Sequence, residues 1–372
     1  MKVGATASGR GRCSRAALWS HSARGRHSRA ALWSHPAALL LALLFLLPAV
    51  GGPGRLAAGG GYTHLLPETA VLRGSRDDFM NVTYQVAYLK THPPKRPAVY
   101  LLGGSSGREC IDGGPQLAAA VRALGGPDVD AYNLSSQNQN FAQSLAIVDN
   151  LPKGSAVVLV GVNENRFGAN PWRDELQLGG RELVLDSPAL RRFYRRRGLA
   201  PDAPTTILPG IANYLQGYWQ AHWTALAQGR LPDTPYVLHH YSPDYVFSPA
   251  QKRALVQTWL SGRGERFVRN AGYNAALLAE LVKLGQQRGF TVVLFDLPHD
   301  FAAIGHSFDR YRAAMRSRCA RIAARSHVPY LRFAERLSIP SADFRDLDHL
   351  VKPGRAIFQA ALARRLVPLL RR

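Results

Sequence analysis

Lysine is scarce in this chain of 372 residues: seven of its 47 basic residues are Lys and 40 are Arg. Acids are few as well, 25 in all, so the formal charge is +22. A charge of this size raises nucleic acid as a partner, but no nucleic-acid-binding module can be read in the chain. The bias toward Arg, with Ala and Gly abundant, reflects gene base composition better than a phosphate-binding surface. The reading is therefore no nucleic acid.

Cysteine is limited to Cys13, Cys110 and Cys319, and no pair has a metal-binding spacing. Neither a metal nor an organic cofactor is expected. A full-length apolar run is missing too. The core of "PAALLLALLFLLPAV", Ala37 to Val50, falls short of the roughly 18 to 20 residues of a complete membrane span. It follows 35 residues that are basic and free of acid, an arrangement that directs export. Residues 36–52 are read as a signal peptide or a single N-terminal anchor, 53–76 as a linker and 77–372 as one domain. The expected location is extracytoplasmic: secreted, periplasmic or in the cell envelope. Cys13 would then stay on the inner side, which leaves Cys110 and Cys319 either as a disulfide or as two buried thiols. The basic segment also repeats "SRAALWSH", at Ser14 to His21 and Ser28 to His35. Two copies are too few to stack as a solenoid.

Beyond the linker, "RDDFMNVTYQVAYLK" has helical spacing and stops at the prolines of "HPPKRP". A short apolar strand, Ala98 to Leu102, runs into "GGSSG". Helix "GPQLAAAVRAL", strand "VDAYNL", helix "NFAQSLAIVDNL" and strand "SAVVLVGV" follow. The alternation stops between Glu164 and about Phe267. It resumes with helix "NAALLAELVKLGQQRG", strand "FTVVLFDL", helix "SFDRYRAAMRSRCARIAARS", strand "VPYLRF" and a last helix from Pro353. This predicts a three-layer α/β/α sandwich on a five-stranded parallel, flavodoxin-like sheet, with a large helical insertion at about 164–267 after the third strand.

Open parallel sheets bind ligands at the carboxyl ends of their strands. "GGSSG" is such a place, and a serine there is either part of a tight turn or a nucleophile. A serine hydroxyl needs an imidazole to take its proton, and the imidazole needs a carboxylate to orient it. "FRDLDHLVKPGR" supplies Asp346 three residues before His349, facing the same way on a turn. Asp348, adjacent to His349, is expected to project elsewhere.

Together these stretches resemble the SGNH (GDSL-like) hydrolase superfamily, in its exported or membrane-anchored esterase and O-acyltransferase branch. Its first block, a strand ending Gly-Asp-Ser, corresponds to Gly103-Gly104-Ser105. Its third, Gly-x-Asn-Asp, corresponds to Gly161-Val162-Asn163-Glu164, and its Asp-x-x-His to Asp346 through His349. The resemblance implies Ser105 as nucleophile, His349 as general base and Asp346 as its carboxylate. The oxyanion donors would be the Ser105 amide, Asn163 and, where the second block usually has glycine, Gln137. Ser106 would merely start the following helix. The substrate implied is an acyl ester or acylated envelope glycan, with an acyl-donor membrane protein as partner in the transferase case. Two other readings stand beside it. One is an inactive SGNH-like glycan-binding or accessory protein. The other is an α/β-hydrolase, since "GGSSG" also satisfies Gly-x-Ser-x-Gly.

Remaining motifs carry a bland reading beside the sharp one. "FDLPHD" sets Asp296, His299 and Asp300 beyond a strand end, as pocket lining, as an alternative base or as a capped turn. The cluster from Arg191 to Arg197 is a solvated helix face or an anion site, and Tyr218, Trp219, His222 and Trp223 form a core stripe or a stacking platform. Asn81 and Asn133 lie in Asn-x-Ser/Thr sequons of little weight.

Overall fold

Runs rich in aliphatic and β-branched residues become the three inner strands, β1 Ala98–Leu102, β3 Ala156–Val162 and β4 Phe290–Asp296, and two shorter edge strands flank them, β2 Asp130–Asn133 and β5 Tyr330–Leu331. A computed structural model describes residues 78–169, 185, 187–198, 227, 240, 245–333 and 337–371. The segments 1–35, 36–52 and 53–76, Cys13 and the stripe from Tyr218 to Trp223 lie outside the described residues. No helix among the described residues is long and apolar enough to cross a membrane.

The strands form one parallel sheet in the order β2-β1-β3-β4-β5. Helices cover both faces, so the three-layer α/β sandwich expected from the sequence is the architecture of this chain. The helices are α1 Asp78–Thr91, α2 Ser105–Arg108, α3 Gly114–Ala123, α4 Phe141–Asn150, α5 Glu164–Phe167, α6 Pro188–Arg196, α7 Pro249–Thr258, α8 Gly264–Gln287, α9 Phe301–Ile304, α10 Asp309–Ser326 and α11 Lys352–Leu370. Alternate residues of β1 serve two cores. Ala98, Tyr100 and Leu102 pack on the side of α1, α4, α8 and α10, whereas Val99 and Leu101 pack on the side of α3 and α11. Burial on both faces explains why β1, β3 and β4 read as nearly continuous apolar runs, whereas the edge strands β2 and β5 do not.

The two buried cysteines belong to opposite sides of this sheet, Cys110 to the α3/α11 core and Cys319 to the α8/α10 core. Both are free thiols. Asn81 and Asn133 are buried as well, so their sequons are structural. Within the insertion, helix α8 starts earlier than its sequence pattern suggests. A π-helical turn, Trp259–Arg263, joins it to α7 without a break from Pro249 to Gln287.

The strand order reverses between β1 and β3, and the chain leaves the sheet there through two adjacent turns. Such a switch point opens a crevice at the carboxyl ends of the strands. The turn after β1 is tightly packed: a Cβ on Gly103 would stand 2.9 Å from the Gly107 Cα and 3.3 Å from the Ser135 hydroxyl. Gly104, by contrast, has only the Gln139 carbonyl within reach, at 3.9 Å. Gly103→Ala is therefore expected to lower stability in urea unfolding by about 1–3 kcal/mol, the usual cost of overpacking. Gly104→Ala is expected to change it by less than about 1 kcal/mol.

Candidate active site

Ser105 is the first residue of α2, with Gly104 as the N-cap, so its own amide is one of the donors left open at a helix start. Its hydroxyl lies 2.8 Å from His349 Nε2. The other ring nitrogen, Nδ1, lies 2.7 and 2.9 Å from the two Asp346 oxygens. With Nδ1–H donating to Asp346, Nε2 is left as the acceptor for the serine proton. The Asp346 Oδ1 also accepts from the amides of Asp348 and His349, both at 3.2 Å, which fixes the turn and the carboxylate together. Burial opposes charge on Asp346, but the His349 hydrogen bond and charge, with those amides, hold its carboxyl below the ordinary range. Burial likewise opposes charge on His349. The Asp348 charge, the Asp346 hydrogen bond and charge, and Glu109 outweigh it and raise the imidazole above its ordinary value.

Asp348 corrects the sequence reading. It does not project elsewhere: it is buried, and its Oδ1 stands 3.2 Å from His349 Nδ1. The tight turn, closed by an antiparallel bridge between Phe344 and Leu350, folds both carboxylates onto one ring edge. The other Asp348 oxygen accepts from Asn165 Nδ2 at 3.1 Å and from the Ser106 hydroxyl at 3.4 Å. Ser106 is thus a second correction. It follows Ser105 in the helix instead of starting it, and its buried hydroxyl joins Asp348 to Asn163, whose Nδ2 donates to it at 3.1 Å. Asn163 caps α5 through its carbonyl oxygen, which accepts from the Arg166 amide. Its NH₂ group carries one further N–H for an oxyanion.

Gln137, the other expected donor, is exposed, one residue past Ser136, whose amide donates to the Gly103 carbonyl at 3.2 Å. The left-handed residue of this turn is its neighbour Asn138, at φ 57°. The loop is held by Arg166, which sequence reasoning missed. Its buried guanidinium donates to the carbonyls of Gln139, Asn140 and Gly161 and to Ser144, over the ring of Phe141. Burial pushes its pKa down to about 9.

A pocket of about 220 Å³ opens beside His349, between Asp348, His299, Trp259 and Phe308. His299 lines it and pairs with Glu164 at 3.1 Å. Burial opposes its charge, but Glu164 outweighs that and raises the His299 imidazole. Asp296 is not in the lining; it is turned toward α10, accepting from the Tyr330 hydroxyl and facing Arg316 at 3.3 Å. Burial raises its carboxyl. The π turn brings Trp259 Nε1 and Arg263 Nη1 to the same Asn165 oxygen, at 2.7 and 3.2 Å. The π turn and the His349 turn therefore meet through one amide side chain.

Asp346, Asp348 and His349 also place three donor atoms within 4.8 Å of one another, close enough to share a cation. In the observed arrangement both His349 nitrogens already face Asp346 and Ser105, so a metal there would displace the relay.

The turn is fastened from behind by Lys252. This buried ammonium pairs with Asp300 at 2.8 Å and donates to the carbonyls of Ser341 and Phe344 at 2.7 and 3.0 Å. The Asp300 amide in turn donates to the Leu347 carbonyl at 2.9 Å. Lys252→Met leaves Asp300 buried without its cation, and a loss of about 3–5 kcal/mol is expected in chemical unfolding. Comparison of the chain with protein-family models finds no match, and comparison with curated proteins finds none.

Proposed function

We propose that this protein is a serine-dependent ester hydrolase or acyltransferase of the SGNH type, working through an acyl-serine intermediate. The observation that carries the reading is the continuous relay from Ser105 through His349 to Asp346. A serine, a base and an orienting carboxylate at these distances form the constellation that nucleophilic acyl transfer requires. The spacing of Asp346 and His349 within one turn, and the position of Ser105 after the first strand, favour the SGNH pattern over an α/β-hydrolase. An inactive binding protein would have no need to keep both ring nitrogens so aligned.

In this reading Ser105 Oγ bonds to the ester carbonyl carbon while His349 Nε2 takes its proton. The tetrahedral oxyanion is held by the Ser105 amide and the second N–H of Asn163. The C–O bond to the alcohol then breaks, and His349 returns the proton to the leaving oxygen. Water or a glycan hydroxyl, activated by the same imidazole, resolves the acyl-enzyme. The 220 Å³ pocket suits a short acyl chain or one sugar ring better than a lipid tail. An extracytoplasmic location, with the N-terminal apolar segment as signal or membrane tether, belongs to the same proposal.

The test separates the two serines. Ser105→Ala is expected to lower kcat on a short-chain p-nitrophenyl ester by at least about 10³-fold and to abolish labelling by a fluorophosphonate. Ser106→Ala, which removes a hydrogen-bond bridge only, is expected to cost about tenfold or less. Undiminished turnover in Ser105→Ala would sink the assignment. The pH profile gives a second test. The base works as neutral imidazole, and the neighbouring carboxylates stabilise the charged form, so kcat/KM should rise with pH through a limb above the ordinary 6.5 of histidine. Removing the Asp348 charge withdraws one of those influences, and Asp348→Asn should move the limb to lower pH.

A further inference from the structure

A second concavity lies away from the serine, at the far end of the domain. Helices α8 and α10 run toward the starts of β4 and β5, so their last turns point to the end of the sheet opposite the catalytic crevice. Between those turns and the end of α6 is a groove of about 930 Å³. Six basic side chains line it: Arg196, Arg197, Lys283, Arg318, Arg321 and Arg325. The lining has one acid, Glu280, already paired with Arg196 at 2.7 Å. Ala275, Ala276 and Ala279 form its floor and leave the space between the walls open.

Helix-end electrostatics explain part of this charge. Arg196 and Arg325 stand in the last turns of α6 and α10, where cations complement exposed carbonyls. Arg318 and Arg321 lie a turn or more upstream, and Lys283 is a turn before the end of α8, so the dipole does not account for them. Arg318 and Arg321 each spend an N–H within their own helix, on the Ala314 carbonyl and the Ser317 hydroxyl. A guanidinium has five N–H donors, so both keep others for a ligand.

From this we propose that the groove binds a linear anionic polysaccharide, its carboxylate or sulfate groups lying between the arginines of α10 and those of α6. A bilayer surface is flat and would reach the rim rather than the alanine floor. Single-stranded nucleic acid is held by aromatic platforms, whereas the rings nearest this groove, Phe193 and Tyr273, are covered by the Arg197 guanidinium at 4.9 and 5.5 Å. The inference does not depend on the esterase reading; where both hold, the polymer is tethered at one end of the domain while the serine works at the other.

The test is binding of fluorescein-labelled heparin and polygalacturonate to the full chain in 0.1 M salt. The double variant Arg321→Glu/Arg325→Glu is expected to bind about tenfold more weakly and with a shallower salt dependence. A control reversal, Arg364→Glu/Arg365→Glu, sits on exposed positions of α11 over the other face and changes net charge equally. It should cost less than about twofold. The milder pair Lys283→Gln/Arg321→Gln covers the case in which the reversal disturbs folding. Equal losses in groove and control variants would reduce the effect to bulk charge and overturn the proposal. So would failure of both polymers to bind, or a preference, through the same arginines, for phosphatidylglycerol vesicles or single-stranded DNA over heparin.

Discussion

The buried ammonium of Lys252 is the fixed point from which the candidate site hangs. It sits 2 % exposed on α7, and its charge is met by Asp300 and by two carbonyls of the chain just ahead of the His349 turn. A buried ion pair contributes little net stability against an apolar replacement of both partners, but removing one partner is costly. Its effect here is therefore on position. The segment from Ser341 to Leu350 has little regular structure of its own, only a 3₁₀ turn and an isolated bridge. Lys252 and Asp300 add a buried anchor behind the bridge and the Asp348 contacts that together hold His349 at hydrogen-bond distance from a serine 244 residues away.

The two serines divide the work between them. Ser105 faces the imidazole; Ser106, one step on, faces the opposite network of Asn163, Asp348 and Asn165. Successive residues of a helix start point about 100° apart, so adjacent serines necessarily serve different neighbours. The second network brings Asp348 to the same imidazole edge as Asp346. Two carboxylates on one nitrogen favour its positive form; in the proposed reaction that would stabilise the transition state while raising the pH at which the base becomes free.

Much of this was legible in the chain. Apolar runs doubly buried in a parallel sheet leave a strong signal, and Asp346 with His349 is a local spacing that a turn can realise directly. Asp348 was misread because adjacency in sequence suggests opposite directions, which holds for strands and fails in a turn closed by the Phe344–Leu350 bridge. For Asp296 the strand end left pocket lining and a capped turn both open; Tyr330 and Arg316, far apart in sequence, turn it away from the pocket. Lys252, Arg166 and Asn165 were invisible for a common reason. Each acts mainly on partners distant in sequence that the fold brings near: Asp300 and Phe344 for Lys252, Gln139 and Ser144 for Arg166, Asp348 and Trp259 for Asn165.

The departures at Gly104 and Gln137 can be weighed physically. Gly104 has an ordinary extended conformation, φ −74° and ψ −165°, with room for a side chain, so the turn does not require glycine there and would accept aspartate. The close approach falls on Gly103 and Gly107 instead, where the chain passes the Ser135 hydroxyl. At the second turn a glycine would be needed only if residue 137 had to be left-handed. That conformation falls on Asn138, which tolerates it better than most residues. Arg166 binds the carbonyls of Gln139 and Asn140 on this loop and Gly161 on β3 in one planar group, and so sets the spacing between the two turns. A guanidinium fixed by carbonyls can replace the conformational freedom of a glycine with rigidity. The geometry around Ser105 then depends on a side chain outside the Gly103–Ser105, Gly161–Glu164 and Asp346–His349 stretches.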